Sequence, residues 1–184
     1  MTIDCFEDIN RVFAHEAGHA VVAWALPSVP TPTSIHFYPL QGEAQCGLTG
    51  WPKPACYEEY LAFTSVFLGG FAGESVMLGD FLRFLRHDFE CALEIAKLVR
   101  RIGNLPRRRA GITPFRARLP WALHAGIKEF LNQAFDLAVR TLEAHRETHQ
   151  RVYGQLSRGY CIDGKVEFPE DELASWLGPR PHAR

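Results

Sequence analysis

The chain has 184 residues, 47% of them hydrophobic, and its 20 basic and 21 acidic side chains leave a net charge of −1. That length and apolar content suit one domain with a real core, and they exclude a disordered tail and a globally basic nucleic-acid binder. The cysteines, Cys5, Cys46, Cys56, Cys91 and Cys161, are odd in number and form no C-x-x-C pair. This fits a reduced, cytoplasmic protein and argues against a cysteine zinc site.

The first predicted element is a helix over 8–26. Ile9, Val12, Phe13, Ala17, Ala20, Val21, Trp24 and Ala25 recur near helical spacing, Asp8 can cap the helix, and Pro27 stops it. Inside it, His15-Glu16-Ala17-Gly18-His19 has the H-E-x-x-H spacing. Two histidines four apart share a helix face with Cβ atoms about 5–6 Å apart, which suits one tetrahedral zinc. Glu16, one step round from His15, can reach a water at the metal's open position and act as general base. A chance match on an exposed helix is the competing reading. Here, however, the polar set lies beside an apolar stripe, where ionisable groups need a partner such as zinc.

A catalytic zinc takes three protein ligands and a water. Residues 20–25 supply no Gly or His at the spacing metzincins require, so that class is excluded. The residues alone leave the third ligand open among Glu58, Glu59, Glu74, Asp80, Asp88, Glu90 and Glu94.

Short strands are predicted near 33–39 and 46–51, with Ile35 and Phe37 alternating against His36 and Tyr38 as in a half-buried strand. Helices follow near 56–68, 70–79 and 83–103. The last of these carries a stripe of Phe89, Leu93, Ala96 and Val99 that places Asp88 in its first turns. The most apolar stretch, 61–85, is interrupted by Gly69, Gly70, Gly73, Glu74, Gly79, Asp80 and Arg83 and does not read as a membrane span. The amino terminus shows no signal-peptide arrangement. Between Lys97 and Arg118 stand Arg100, Arg101, Arg107, Arg108, Arg109 and Arg116 without an acid. With Pro106, Gly111 and Pro114 among them, they read as a solvated basic loop over 104–119 or a docking surface, not as a nucleic-acid site. A long helix over 120–157 and a last helix over 169–177 complete the chain. His145 and His149 are also four apart, but Glu147 points away from their face and charged neighbours suggest exposed helix.

Three blocks in order carry a resemblance: His15-Glu16-Ala17-Gly18-His19-Ala20-Val21-Val22-Ala23, Leu68-Gly69-Gly70-Phe71-Ala72-Gly73-Glu74, and His87-Asp88-Phe89-Glu90-Cys91-Ala92-Leu93-Glu94-Ile95-Ala96. Together they resemble the peptidase domain of FtsH-type membrane AAA proteases. The resemblance implies a mainly α fold with a small β-sheet, zincin-like, as one peptidase-like domain over 1–184 with a carboxy-terminal helical region over 120–178. It implies Zn2+ held by His15, His19 and Asp88, with Glu16 as general base and Glu74 orienting a histidine by hydrogen bond. It also implies a strand edge that binds substrate backbone, with Ile35, Phe37, Gly47, Leu48 and Thr49 as the candidate residues. Phe71, Ser75 and His87 stand where the family has Arg, Glu and Asn; none of these changes removes a ligand.

The function expected on these grounds is a zinc-dependent endopeptidase acting on unfolded or flexible protein segments. The family's membrane spans and ATPase module precede its peptidase domain, whereas here only fourteen residues precede His15 and no Gly-rich Walker loop occurs. The expectation is therefore an enzyme without its own ATPase, compatible with a homo-oligomer or a separate ATPase partner. The alternative is a non-catalytic, zinc-stabilised adaptor module for a larger protease or another partner.

Overall fold

A computed structural model describes residues 9–38, 43–48, 50, 53–80, 86–103, 115, 118–120 and 122–181. In chain order it contains α1 (Ile9–Ala25), β1 (Pro32–Tyr38), β2 (Glu43–Leu48), α2 (Tyr57–Phe67), α3 (Gly69–Leu78) and α4 (Arg86–Arg101). These are followed by α5 (Ala125–Ala144), α6 (Arg146–Cys161), β3 (Glu167–Pro169) and α7 (Glu170–Leu177). The architecture is mainly α with one small sheet.

Helix α1 is the hub. Every residue from Phe13 to Trp24 is buried, because helices, sheet and carboxy-terminal segment enclose it on several sides. The antiparallel sheet, in the order β2-β1-β3, lies against its Phe13 face. Along β1, Ile35 and Phe37 point into the core while Tyr38 is exposed, the alternation expected of a half-buried strand. Phe37 meets Phe13 edge-on at 5.6 Å and Phe168 of β3 at 5.8 Å. Each such pair contributes about 0.5–1.5 kcal/mol beyond its buried area.

Helix α3 approaches α1 so closely that the backbones touch. A Cβ at Gly18 would lie 2.2 Å from the Gly69 carbonyl oxygen, and one at Gly73 would lie 2.3 Å from that of Ala14. Glycine at these positions is what allows the crossing. At the far end of α1, the Arg180 guanidinium donates to the carbonyls of Ala23, Trp24, Leu26 and Val29. It thereby satisfies acceptors that a helix end leaves open.

Among the described residues no single helix is long and apolar enough to cross a membrane. Helices α2 and α3 pass on length and composition only as a pair bent by 56°. The bend falls at Leu68, and both helices bury side chains in the core.

Several sequence expectations are corrected. The long helix expected over 120–157 is two helices, α5 and α6, joined at His145, whose φ of −117° and ψ of 34° leave the helical region. No Gly or Pro marks the break; the His145 ring packs edge-on against Trp24 at 5.1 Å, a tertiary contact that periodicity does not encode. His149 does not lie on an exposed face either. It is fully buried, with Nε2 3.5 Å from the Ala14 carbonyl oxygen. The second strand occupies 43–48 rather than 46–51, and β3 was not anticipated, being three residues long and ending in proline. Asp8, Thr49 and most of the basic loop, including Arg107, Arg108, Arg109 and Arg116, lie outside the described residues.

Candidate active site

The two histidines of α1 are aimed from behind by hydrogen-bond acceptors. His15 Nδ1 lies 2.8 Å from Glu74 Oε1 on α3, and His19 Nδ1 lies 2.7 Å from the Val66 carbonyl oxygen on α2. A carbonyl only accepts, so His19 Nδ1 carries the proton there, which leaves Nε2 as the ligand nitrogen. Both Nε2 atoms converge on Asp88 Oδ2 of α4, His15 at 3.0 Å and His19 at 3.5 Å. These three are the group among the described residues whose ligand atoms lie within 4.8 Å of one another.

The spacing fits zinc. Metal–ligand bonds of about 2.0–2.1 Å in a tetrahedron place ligand atoms about 3.3–3.4 Å apart, close to the two distances to Asp88. The donor set, two imidazole nitrogens and a carboxylate, is one that zinc accepts. A carboxylate and a carbonyl on the remote nitrogens orient the rings as metal-binding histidines require.

Packing fixes the rings further. Phe71 is fully buried and meets the His15 ring edge-on at 5.3 Å. A Cβ at Gly70 would lie 2.2–2.4 Å from the same imidazole, so the Gly69-Gly70 pair makes room for it. Arg11, one turn before His15, reaches Glu74 Oε2 at 3.4 Å and the Asp80 carbonyl at 3.1 Å. Asp80 in turn accepts from Arg118 at 2.5 Å.

Glu16 is 3% exposed, and its Oε2 has no hydrogen-bond partner among the described residues. The main-chain N–H of Cys46 on β2 donates to the same carboxylate, which places that strand beside the site. Burial raises the proton affinity of Glu16, and the two histidines only partly counter it. For His15, burial favours the neutral ring, but hydrogen bonds to Asp88 and Glu74 outweigh it and lift the pKa to about 10. Asp88 is held far below the usual carboxylate range: burial opposes its charge, and His19 and His15 overcome that. The metal-free cluster is thus a concentration of negative charge that binds a proton where a dication would serve.

The structure brings His15, Glu16, His19, Glu74 and Asp88 together. The proposed substrate contacts are not all placed at a surface. Ile35 and Phe37 are 0% and 2% exposed, and β1 is the central strand, with Phe37 N–H bonded to the Val166 carbonyl. Gly47 and Leu48 stand on β2, at the sheet's edge among the described residues. Arg11, Gly70 and the carbonyl of Val66 were missed by sequence reasoning. Arg11 had a signal, since it lies four residues before His15 on one helix face; the Val66 carbonyl had none.

No family model matches the chain. It is 23% identical to the ATP-dependent zinc metalloprotease FTSH 3, mitochondrial, of Oryza sativa subsp. japonica, in an alignment covering 94% of this chain and 23% of that protein. It is 25% identical to the ATP-dependent zinc metalloprotease FTSH 10, mitochondrial, of Arabidopsis thaliana, over 94% of this chain and 22% of the relative. It is also 25% identical to the ATP-dependent zinc metalloprotease FtsH 3 of Symbiobacterium thermophilum, over 95% and 31%. The chain therefore spans between about a fifth and a third of the length of the curated relatives it matches. The chain is thus distantly similar to FtsH zinc metalloproteases along nearly its whole length, and its described residues include a His-His-Asp cluster able to hold a metal.

Proposed function

We propose that this chain is a zinc-dependent endopeptidase of the zincin type, corresponding to an FtsH-like peptidase domain and hydrolysing unfolded or flexible protein segments in a reaction that needs no ATP. The observation that carries the reading is the convergence of His15 Nε2, His19 Nε2 and Asp88 Oδ2 beside the buried carboxylate of Glu16. Held by these three side chains, zinc supplies a Lewis acid for the scissile carbonyl and makes water acidic enough to react near neutral pH.

The protein's own groups do the rest. Glu16 takes the proton of the attacking water and delivers it to the leaving amine, and the raised proton affinity that burial gives it suits both halves of that transfer. Glu74 and the Val66 carbonyl hold the imidazoles in the tautomer that presents Nε2. The outer edge of β2 offers main-chain groups of Leu48 to an extended substrate, while the Gly47 carbonyl faces β1 and accepts from Thr33 Oγ1. The role assigned to Ile35 and Phe37 narrows to supporting that edge from the core.

The unpartnered Glu16 Oε2 favours an enzyme over an adaptor. A buried carboxylate oxygen without a partner costs stability, and a zinc kept only for structure has no need of it. The test is zinc content and turnover in His15→Ala, His19→Ala and Asp88→Asn. Each is expected to lose tightly bound zinc together with cleavage of an unfolded reporter protein. Full zinc and full cleavage in Asp88→Asn would remove Asp88 from the site.

A further inference from the structure

The first turns of α4 carry a second set of metal-binding side chains that the catalytic cluster does not use. His87 is exposed and Cys91 half-buried, and His87 Nε2 stands 3.9 Å from Cys91 Sγ. Bonds of about 2.0–2.1 Å to nitrogen and 2.3 Å to sulfur in a tetrahedron put those atoms about 3.5–3.6 Å apart. A small side-chain rotation therefore closes the pair on one ion. At 100° per residue, Glu90 and Glu94 fall on the same face as His87 and Cys91, within an arc of about 100°. Burial raises the pKa of the Cys91 thiol, and the charges of Asp88 and Glu90 add to it, so a cation bound there must displace the thiol proton, while the same negative charges attract the cation.

We propose that His87 and Cys91 form an accessory surface site for a thiophilic divalent cation such as zinc, on the same helical turn as Asp88 but facing solvent. A thiolate paired with an imidazole selects zinc or cadmium over magnesium or calcium. Among the described residues only His15, His19 and Asp88 bring three ligand atoms together, so the accessory site has two protein donors, with water or a swung Glu94 completing the shell. It binds more weakly than the cluster and fills after it. Glu94 is paired with Lys97 at 2.5 Å, and recruiting it breaks that ion pair.

Cobalt(II) separates the two sites, because the His-His-Asp cluster contains no sulfur and only a thiolate ligand produces a sulfur-to-cobalt charge-transfer band in the near ultraviolet. Titrating metal-free protein with cobalt is expected to give visible ligand-field bands first and the charge-transfer band with a later equivalent. Cys91→Ser should lose the second band and keep the first. His87→Ala should lose the later equivalent, and Cys46→Ser should keep both. A charge-transfer band that survives Cys91→Ser, or no such band in the unaltered protein, would overturn the proposal. The readout is independent of peptide cleavage, so this outcome is distinct from failure of the peptidase reading.

Discussion

His15 is the residue on which the electrostatics of the cluster turn. Its metal-free pKa of about 10 exceeds the ordinary 6.5 because Asp88 and Glu74 hold the protonated ring more strongly than burial expels it. Its contribution to the stability of the metal-free protein is therefore complete below pH 6.5 and is lost as pH rises through about 10. Zinc needs that nitrogen free, so binding near neutral pH must expel the proton. Calorimetric zinc titrations in buffers of different ionisation enthalpy should report release of about one proton per zinc. Binding without proton release would contradict the hydrogen bonds that define the site. The H-E-x-x-H spacing made His15, Glu16 and His19 legible in the sequence. Asp88 was reachable only by resemblance, because periodicity treats seven acids alike. Phe71 was read as a departure and proves to be the side chain packed against the His15 ring.

At the scale of elements, the site depends on how closely α1 and α3 cross. Glu74 reaches His15 because Gly18, Gly69 and Gly73 let the two backbones touch. Gly18→Ala drives a methyl to 2.2 Å from the Gly69 carbonyl, and α3 must retreat. The expected cost is about 1–3 kcal/mol in a denaturant titration, with weaker zinc binding as Glu74 leaves His15. Unchanged stability and zinc affinity would show that the crossing does not position the cluster. The bounds of α2 and α3 were legible within a residue or two, since apolar runs and the glycines at 69 and 70 mark them. The break between α5 and α6 was not, because Trp24, far away in sequence, holds His145 outside the helical region.

At the scale of the whole molecule, helix α1 joins chemistry to core. His149 on α6 packs beneath it at the Ala14 carbonyl, and burial lowers its pKa to about 4. A histidine kept neutral by folding contributes its stability above the unfolded value of 6.5 and loses it as pH falls through 4. That loss is worth at most about 3 kcal/mol. In metal-free protein, His149→Gln should therefore flatten the fall of the urea midpoint between neutral pH and pH 4. Parallel profiles for variant and unaltered protein would contradict the assignment. His149 escaped the sequence reading because its charged neighbours face solvent while it turns inward.

The mainly α class and the small sheet were legible because apolar period acts locally, whereas the pairing of α1 with Asp88 was legible only through the resemblance. β3, the sheet order and the carbonyl that aims His19 depend on distant partners. The central claim, that Glu16 makes this cluster a catalyst, is tested most directly by cleavage of an unfolded reporter protein, without ATP, by unaltered protein and Glu16→Gln loaded with equal zinc. The account predicts steady turnover by the first and its loss in the second with zinc retained. Equal turnover by both, or none from the zinc-loaded unaltered protein, would contradict it.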